Sequence, residues 1–228
     1  MTFKERIVNA AVSLILKITC KVDLQGAENI PLEGPAILIT NHTTNLEGPL
    51  FYLSLRPRKT RALAKRELWG PYFTRMAMEA WESVPVDRGG MDMKAIRSCF
   101  GVLDDGNFLC IAPEGTRSKT GALKKAMPGT TFFASRQGVP IYTMVQWGLL
   151  DMKKNLKRFR RTPVHLRCGK PFLIEKPGGG KIRAEDREKM ADEMMYQLAD
   201  LLPEELRGYY ADESKRTSEY VKPLPVGD

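Results

Sequence analysis

The sequence predicts a single α/β domain with a mixed, mostly parallel central sheet flanked by helices, preceded by an amphipathic N-terminal helix. Three observations lead there. Short apolar runs alternate with segments of helical period, the order from which βαβ units are built. The runs are bounded by Gly, Pro, Asn and Asp, the residues that end strands and open turns. At 228 residues and 43% hydrophobic content, the chain is of a size to close one substantial core.

In chain order, "PAILIT" (35–40) is a buried strand, "TRALAK" (60–65) a second and "ESVPVDR" (82–88) a third. "MKAIRSCFGVLDDG" carries Ile96, Phe100 and Leu103 at helical spacing and stops at Gly106. "NFLCIAP" is a buried strand that runs into a Pro-Glu-Gly turn. "GTTFFASRQG" is a helix ending at Gly138, followed by the strand "VPIYTMV" (139–145). "PVHLRCG" alternates, with Val164, Leu166 and Cys168 on one side and His165 and Arg167 on the other. "AEDREKMADEMMYQLADLLP" is an amphipathic helix whose core face carries Met190, Met194, Leu198 and Leu201. Residues 211–228, rich in charge and proline, are expected to be loosely ordered.

The N-terminal segment "FKERIVNAAVSLILKITCK" has an apolar stretch of roughly a dozen residues, short of the ~20 that span a bilayer. It has no small-residue cleavage site of the signal-peptide kind. Glu5, Asn9, Ser13, Lys17 and Lys21 recur every fourth position and form one narrow polar stripe on a helix. Phe3, Ile7, Val8, Val12, Leu14, Ile15 and Ile18 spread over the rest. Such a helix, residues 1–21, could lie in a membrane interface or dock on the core.

The formal net charge of +9 suits nucleic acid, an anionic membrane or an acidic partner. No nucleic-acid reader motif is present, so that partner is not expected. The basic run "KKNLKRFRR" (153–161) suits anionic lipid, a solvated loop or an acidic carrier protein. Cys20, Cys99, Cys110 and Cys168 show no paired spacing, and there are two histidines. Neither a disulfide framework nor a metal site is expected.

The chemistry-bearing residues concentrate in two turns. In "ILITNHTTNLEGPL", His42 follows a strand and Glu47 stands five residues on. On one continuous helix these would point about 140° apart. They meet only if His42 lies in the turn and Glu47 opens the next helix, and Asn41, Thr43, Thr44 and Asn45 are turn and cap formers. Glu47 would then orient His42 as a general base; otherwise His42 is a capping histidine beside a solvated glutamate. No G-x-S-x-G elbow offers a nucleophile, so such a base would act directly on a substrate hydroxyl. His165, outward-facing beside Arg167, is expected to be a surface histidine.

The second turn is "APEGTRSKTG" (112–121). Gly115, Thr116 and Ser118 offer donors, and Arg117 a planar fork that matches a phosphate. Lys65 and Arg88 also follow strand-like runs. The three cations would meet at one anion if their strands are parallel neighbours. The turn would otherwise be a solvated one with a surface arginine.

Together "NHTTNLEGP", "VPVDRGG", "APEGTRSKTG" and "VPIYTMV" resemble the four ordered blocks of the glycerolipid acyltransferase family, most nearly its 1-acylglycerol-3-phosphate acyltransferases. "GAENIP" and "LLPEELRGYYA" add to the resemblance, which covers residues 22–210. It implies a peripheral enzyme on the cytoplasmic face of the cell membrane. The enzyme would move a fatty acyl group from coenzyme A or acyl carrier protein to a lysophospholipid, with no cofactor. It implies His42 as base and Glu47 as its acidic partner. Lys65, Arg88, Glu114, Gly115, Thr116 and Arg117 would belong to the acceptor phosphate. The family's usual aspartate is here Glu47, and Tyr142 and Thr143 replace an aliphatic residue and a proline, so donor binding is not carried onto them.

Overall fold

A computed structural model describes residues 1–87, 92–134, 138–180 and 182–224. The central strands are β2 (Ala36–Thr40), β3 (Thr60–Lys65), β4 (Val84–Val86), β5 (Phe108–Ile111) and β6 (Ile141–Trp147). β2 pairs with β5 and β6, and β3 with β5 and β4, all parallel. β7 (Thr162–Cys168) runs antiparallel to β6, and β1 (Cys20–Gln25) runs parallel to β7. The order is β1-β7-β6-β2-β5-β3-β4, with β8 (Phe172–Ile174) and β9 (Val221–Pro223) joined antiparallel beyond β6. The predicted mixed, mostly parallel sheet is present.

β2 explains the layering. All five of its residues are buried, as a central parallel strand requires. Ile37 and Ile39 join one core with α4 (Met93–Asp104) and α7 (Ala184–Ala199), through Val102, Leu103, Met190, Met194 and Leu198. Ala36 and Leu38 join the other with α1 (Phe3–Thr19) and α2 (Glu47–Ser54), through Leu16, Leu50 and Phe51. Asp92 caps α4, its Oδ1 accepting from Ala95 N at 3.0 Å. α3 (Tyr72–Ala80) packs on α1, while α5 (Thr131–Ala134) and α6 (Met152–Leu156) are short. α5 covers only part of the helix expected over "GTTFFASRQG", whose residues 135–137 lie outside the described residues. The four cysteines are buried and free.

One expectation needs correction. The chain after residue 210 is held in place through Tyr220. Buried Glu193 on α7 accepts from the amides of Glu219, Tyr220 and Val221 at 2.7–2.9 Å, and β9 pairs with β8. A charged side chain in the core supplies acceptors that composition does not reveal.

α1 meets the core through polar as well as apolar residues. The first half of its polar stripe faces inward: Glu5 and Asn9 are buried, with Val8 and Leu16, while Lys17 is exposed. Glu5 accepts from Tyr52 Oη at 2.9 Å, and Asn9 Oδ1 from Trp81 Nε1 at 2.9 Å. Tyr52 and Trp81 stack, so the polar groups close a small cluster instead of meeting water. Burial and the Glu5 carboxylate push the Tyr52 hydroxyl well above its usual range. The apolar side therefore turns outward, with Phe3 at 78% and Ile18 at 63% exposure, joined by Ile7, Leu14 and Ile15. No helix among the described residues is long and apolar enough to cross a membrane.

Candidate active site

β2, β5, β3 and β4 are parallel neighbours, so the segments leaving their C-terminal ends emerge at one edge of the sheet. That edge is where open α/β sheets bind ligands. It carries His42 after β2, residues 112–118 after β5 and Lys65 at the end of β3. Arg88, expected here after β4, lies outside the described residues.

The His42–Glu47 geometry follows the spacing. Thr40 ends the strand, residues 41–46 turn, and Glu47 is the first residue of α2. The His42 Nδ1 is hydrogen-bonded to Glu47 Oε1. The Glu47 carboxylate is buried, and its remaining valences are filled. It accepts from Thr43 N (2.9 Å to each oxygen), Thr44 N (3.2 Å), Thr43 Oγ1 (3.2 Å) and Gln146 Nε2 (2.9 Å). A carboxylate so surrounded by donors accepts from Nδ1–H and leaves Nε2 as the ring's basic nitrogen. The His42 side chain is 26% exposed, which keeps it within reach of a substrate.

Gln146, on β6, escapes sequence reading. It is fully buried, and donates from Nε2 to Thr43 Oγ1 at 2.6 Å as well as to Glu47. Asn41 locks its backbone, donating to Gln146 O at 2.8 Å and accepting from Gln146 N at 2.9 Å. Gln146 Oε1 is buried without a partner. The opposite amide orientation would set its oxygen against the Glu47 carboxylate, so the network assigns the one shown. The available signal was a glutamine in the last turn of an apolar strand, "MVQW". Replacing Gln146 with Met should lower kcat by about 10–100-fold, the worth of one hydrogen bond to a buried charge. A role confined to packing would change the melting temperature and leave the pH profile of kcat as it was; loss of a Glu47 donor should move that profile.

The second turn is bound to the first. Glu114 Oε1 accepts from His42 N at 2.8 Å, its Oε2 from Lys124 N at 3.0 Å, and Ser118 N donates to His42 O at 2.6 Å. Burial pushes the Glu114 carboxyl above its usual range, and the two amide donors pull it back. These contacts correct two expectations. Both Glu114 oxygens hold backbone, so its carboxylate clamps the two turns together and is not a phosphate contact. The Gly115 amide is committed to Ala112 O, and the residue is a turn glycine at φ +64° whose added Cβ would meet Met127 Sδ at 2.2 Å.

Arg117 is exposed and, among the described residues, has no hydrogen-bond or ion-pair partner. Lys65 is half-buried and likewise unpaired. Thr116 Oγ1 accepts from Lys124 Nζ, which adds a cation the sequence reading did not include. His165 stacks on Trp147 and pairs with Asp23, partly exposed, and takes no part in the His42–Glu47 network.

A histidine held by a buried carboxylate, with open cations on the neighbouring strand end, defines an α/β protein equipped to take a proton beside a bound anion. The Acyltransferase family model matches residues 21–147, and the chain belongs to that family. It is 33% identical over 145 residues to the 1-acyl-sn-glycerol-3-phosphate acyltransferase of Cocos nucifera, covering 61% of this chain and 46% of that one. It is 28% identical over 156 residues to the enzyme so named from Limnanthes douglasii (66% and 54%) and over 124 residues to that from Pseudomonas aeruginosa (53% and 47%). The chain thus spans about half the length of these curated relatives. The crystal structure of the 1-acyl-sn-glycerophosphate acyltransferase PlsC from Thermotoga maritima shares the fold, with a TM-score of 0.64 at 21% identity over 94% of this chain and 81% of that one.

Proposed function

We propose that this protein transfers a fatty acyl group from an acyl thioester to the free hydroxyl of 1-acylglycerol 3-phosphate, giving phosphatidic acid in phospholipid biosynthesis. The observation that carries the reading is the Glu47-held His42 on the same sheet edge as unpaired Arg117. His42 Nε2 takes the hydroxyl proton as the oxygen attacks the thioester carbonyl. The carbon–sulfur bond then breaks, and the proton leaves with the thiol of coenzyme A or acyl carrier protein. The amides of Thr116 and Arg117 have no internal acceptor among the described residues and are suited to the oxyanion. Arg117, Lys65 and Lys124 supply positive charge for the acceptor phosphate, with Arg88 assigned there by sequence alone. The outward apolar side of α1 supports a peripheral seat on a membrane, placed on the cytoplasmic face by the family resemblance alone.

The test is thiol release from acyl-coenzyme A and acyl carrier protein across a panel of lysolipids. Arg117→Ala should lower kcat/KM for the phosphorylated acceptor, by the equivalent of ~2–5 kcal/mol if the bound lipid desolvates the pair, while leaving its dephosphorylated analogue nearly untouched. Arg117→Lys should recover part of the loss, because charge returns without the fork. Equal losses on both acceptors would move the reading to another lysolipid or a glycolipid. No thiol release with any acceptor would leave a lipid-binding protein.

A further inference from the structure

We propose that the turn after α6 is a membrane-insertion tip, with the Phe159 ring entering an anionic bilayer and the flanking lysines and arginines resting on lipid phosphates.

The backbone is the first reason. Arg160 N donates to Asn155 O at 3.0 Å and Phe159 N to Leu156 O at 3.0 Å, the pair of bonds that closes a Schellman motif. Its left-handed position is Phe159, at φ +54°. Glycine is the residue this conformation asks for, and a bulky aromatic there is an outlier. The ring gains nothing inside the protein to offset that strain, because Phe159 is 100% exposed. A residue that opposes its own backbone and touches no core points to a role outside the chain's own packing.

The charge is the second reason. Six of the nine residues 153–161 are Lys or Arg and none is acidic. Among the described residues, Lys153, Lys154, Lys157, Arg158 and Arg160 form no ion pair. A lone ring on a convex, cationic tip offers no groove to seat a protein side chain. It suits a surface that deforms around it and carries diffuse negative charge.

Position is the third reason. β6 is parallel to β2, so the segment leaving its C-terminal end rises on the His42 side of the sheet. Arg161 donates from Nε and Nη2 to Cys20 O at 3.0 and 2.5 Å, fastening the turn to the end of α1, where Leu14 and Ile18 are exposed. The tip and the outward side of α1 thus flank the edge at which a lipid acceptor would enter. This placement rests on the acyltransferase reading only in that the acceptor is a lipid; the test below uses no substrate to read binding.

Phe159→Gly restores the residue the backbone prefers, so the variant should melt at or above the parent temperature. Its partition onto phosphatidylglycerol–phosphatidylcholine vesicles, by sedimentation, should fall about tenfold, the worth of a buried aromatic ring. Thiol release with detergent-dispersed acceptor should stay at the parent level. Because the native cysteines are buried, Phe159→Cys can carry an environment-sensitive fluorophore. Its emission should shift to the blue with the anionic vesicles and stay unshifted with phosphatidylcholine alone. Parental vesicle binding by Phe159→Gly, or an unshifted probe, would overturn the proposal. A raised KM for the acyl carrier protein donor with parental vesicle binding would overturn it too, making the turn a carrier dock.

Discussion

His42→Ala should lower turnover by ~10²–10⁴, the usual worth of a positioned acid–base group, with little change in acceptor KM. The imidazole is partly exposed, and its Nδ1 meets only the Glu47 carboxylate. Removing it opens a hole at the surface of the turn without unlocking the fold. What ties that turn down is backbone: His42 N to Glu114 and Ser118 N to His42 O. The alanine variant keeps both bonds, so its circular dichroism should match the parent, and thiol release in single turnover then isolates the chemical step. Near-parental turnover in that folded variant would remove His42 from the mechanism.

Glu47→Gln should be comparably severe, up to about 10⁴ in turnover, as when a triad carboxylate becomes an amide. The surroundings make the isosteric change costly in both orientations. Every group around Glu47 is a donor: Thr43 N and Oγ1, Thr44 N, Gln146 Nε2 and the His42 ring. Whichever way the new amide turns, its NH₂ faces a donor, at ~1–3 kcal/mol for the buried group left unpaired. The amide can also turn the imidazole to the wrong tautomer. Glu47→Asp isolates reach from charge. It withdraws the carboxylate by about 1.5 Å, one carbon–carbon bond. The cage of donors is set at glutamate's reach, with Gln146 on the far side, so aspartate should fall between Gln and the parent. The pH profile of kcat and the melting curve should be measured together. A Gln variant as active as the parent would end the orienting role, and an Asp variant faster than the parent would mean that Glu47 slows the natural reaction.

These two residues were legible because their geometry is local. A strand, a turn of Asx and threonine residues and a helix start decide where residues 42 and 47 meet, and all three are written within a dozen positions. Glu114 shows the opposite case. Its place in a strand-end turn was legible, but its partners are His42 N and Lys124 N. Only the pairing of β2 with β5 brings the first of these within reach. Gln146 lies further still, 99 positions from the carboxylate it holds. No periodicity of either segment announces that contact.

α1 shows the same division within one element. Its fourfold polar spacing established an amphipathic helix. The spacing did not say which side would dock, and the ordinary rule that apolar faces turn inward accounts for Val8 and Leu16 but not for Glu5 and Asn9. Glu5 and Asn9 go inward because Tyr52 and Trp81, on other elements, present a hydroxyl and an indole N–H to receive them.

The sequence by itself determined strands β2 to β7, the helices α1, α4 and α7, the His42–Glu47 meeting and the turn that carries Arg117, because hydrophobic period, caps and turn residues act over a few positions. The tertiary structure decided the order of the strands, the clamp through Glu114, the donor from Gln146 and the outward apolar side of α1. Those depend on which distant groups are brought together in a water-poor interior, where every donor and acceptor must find a partner.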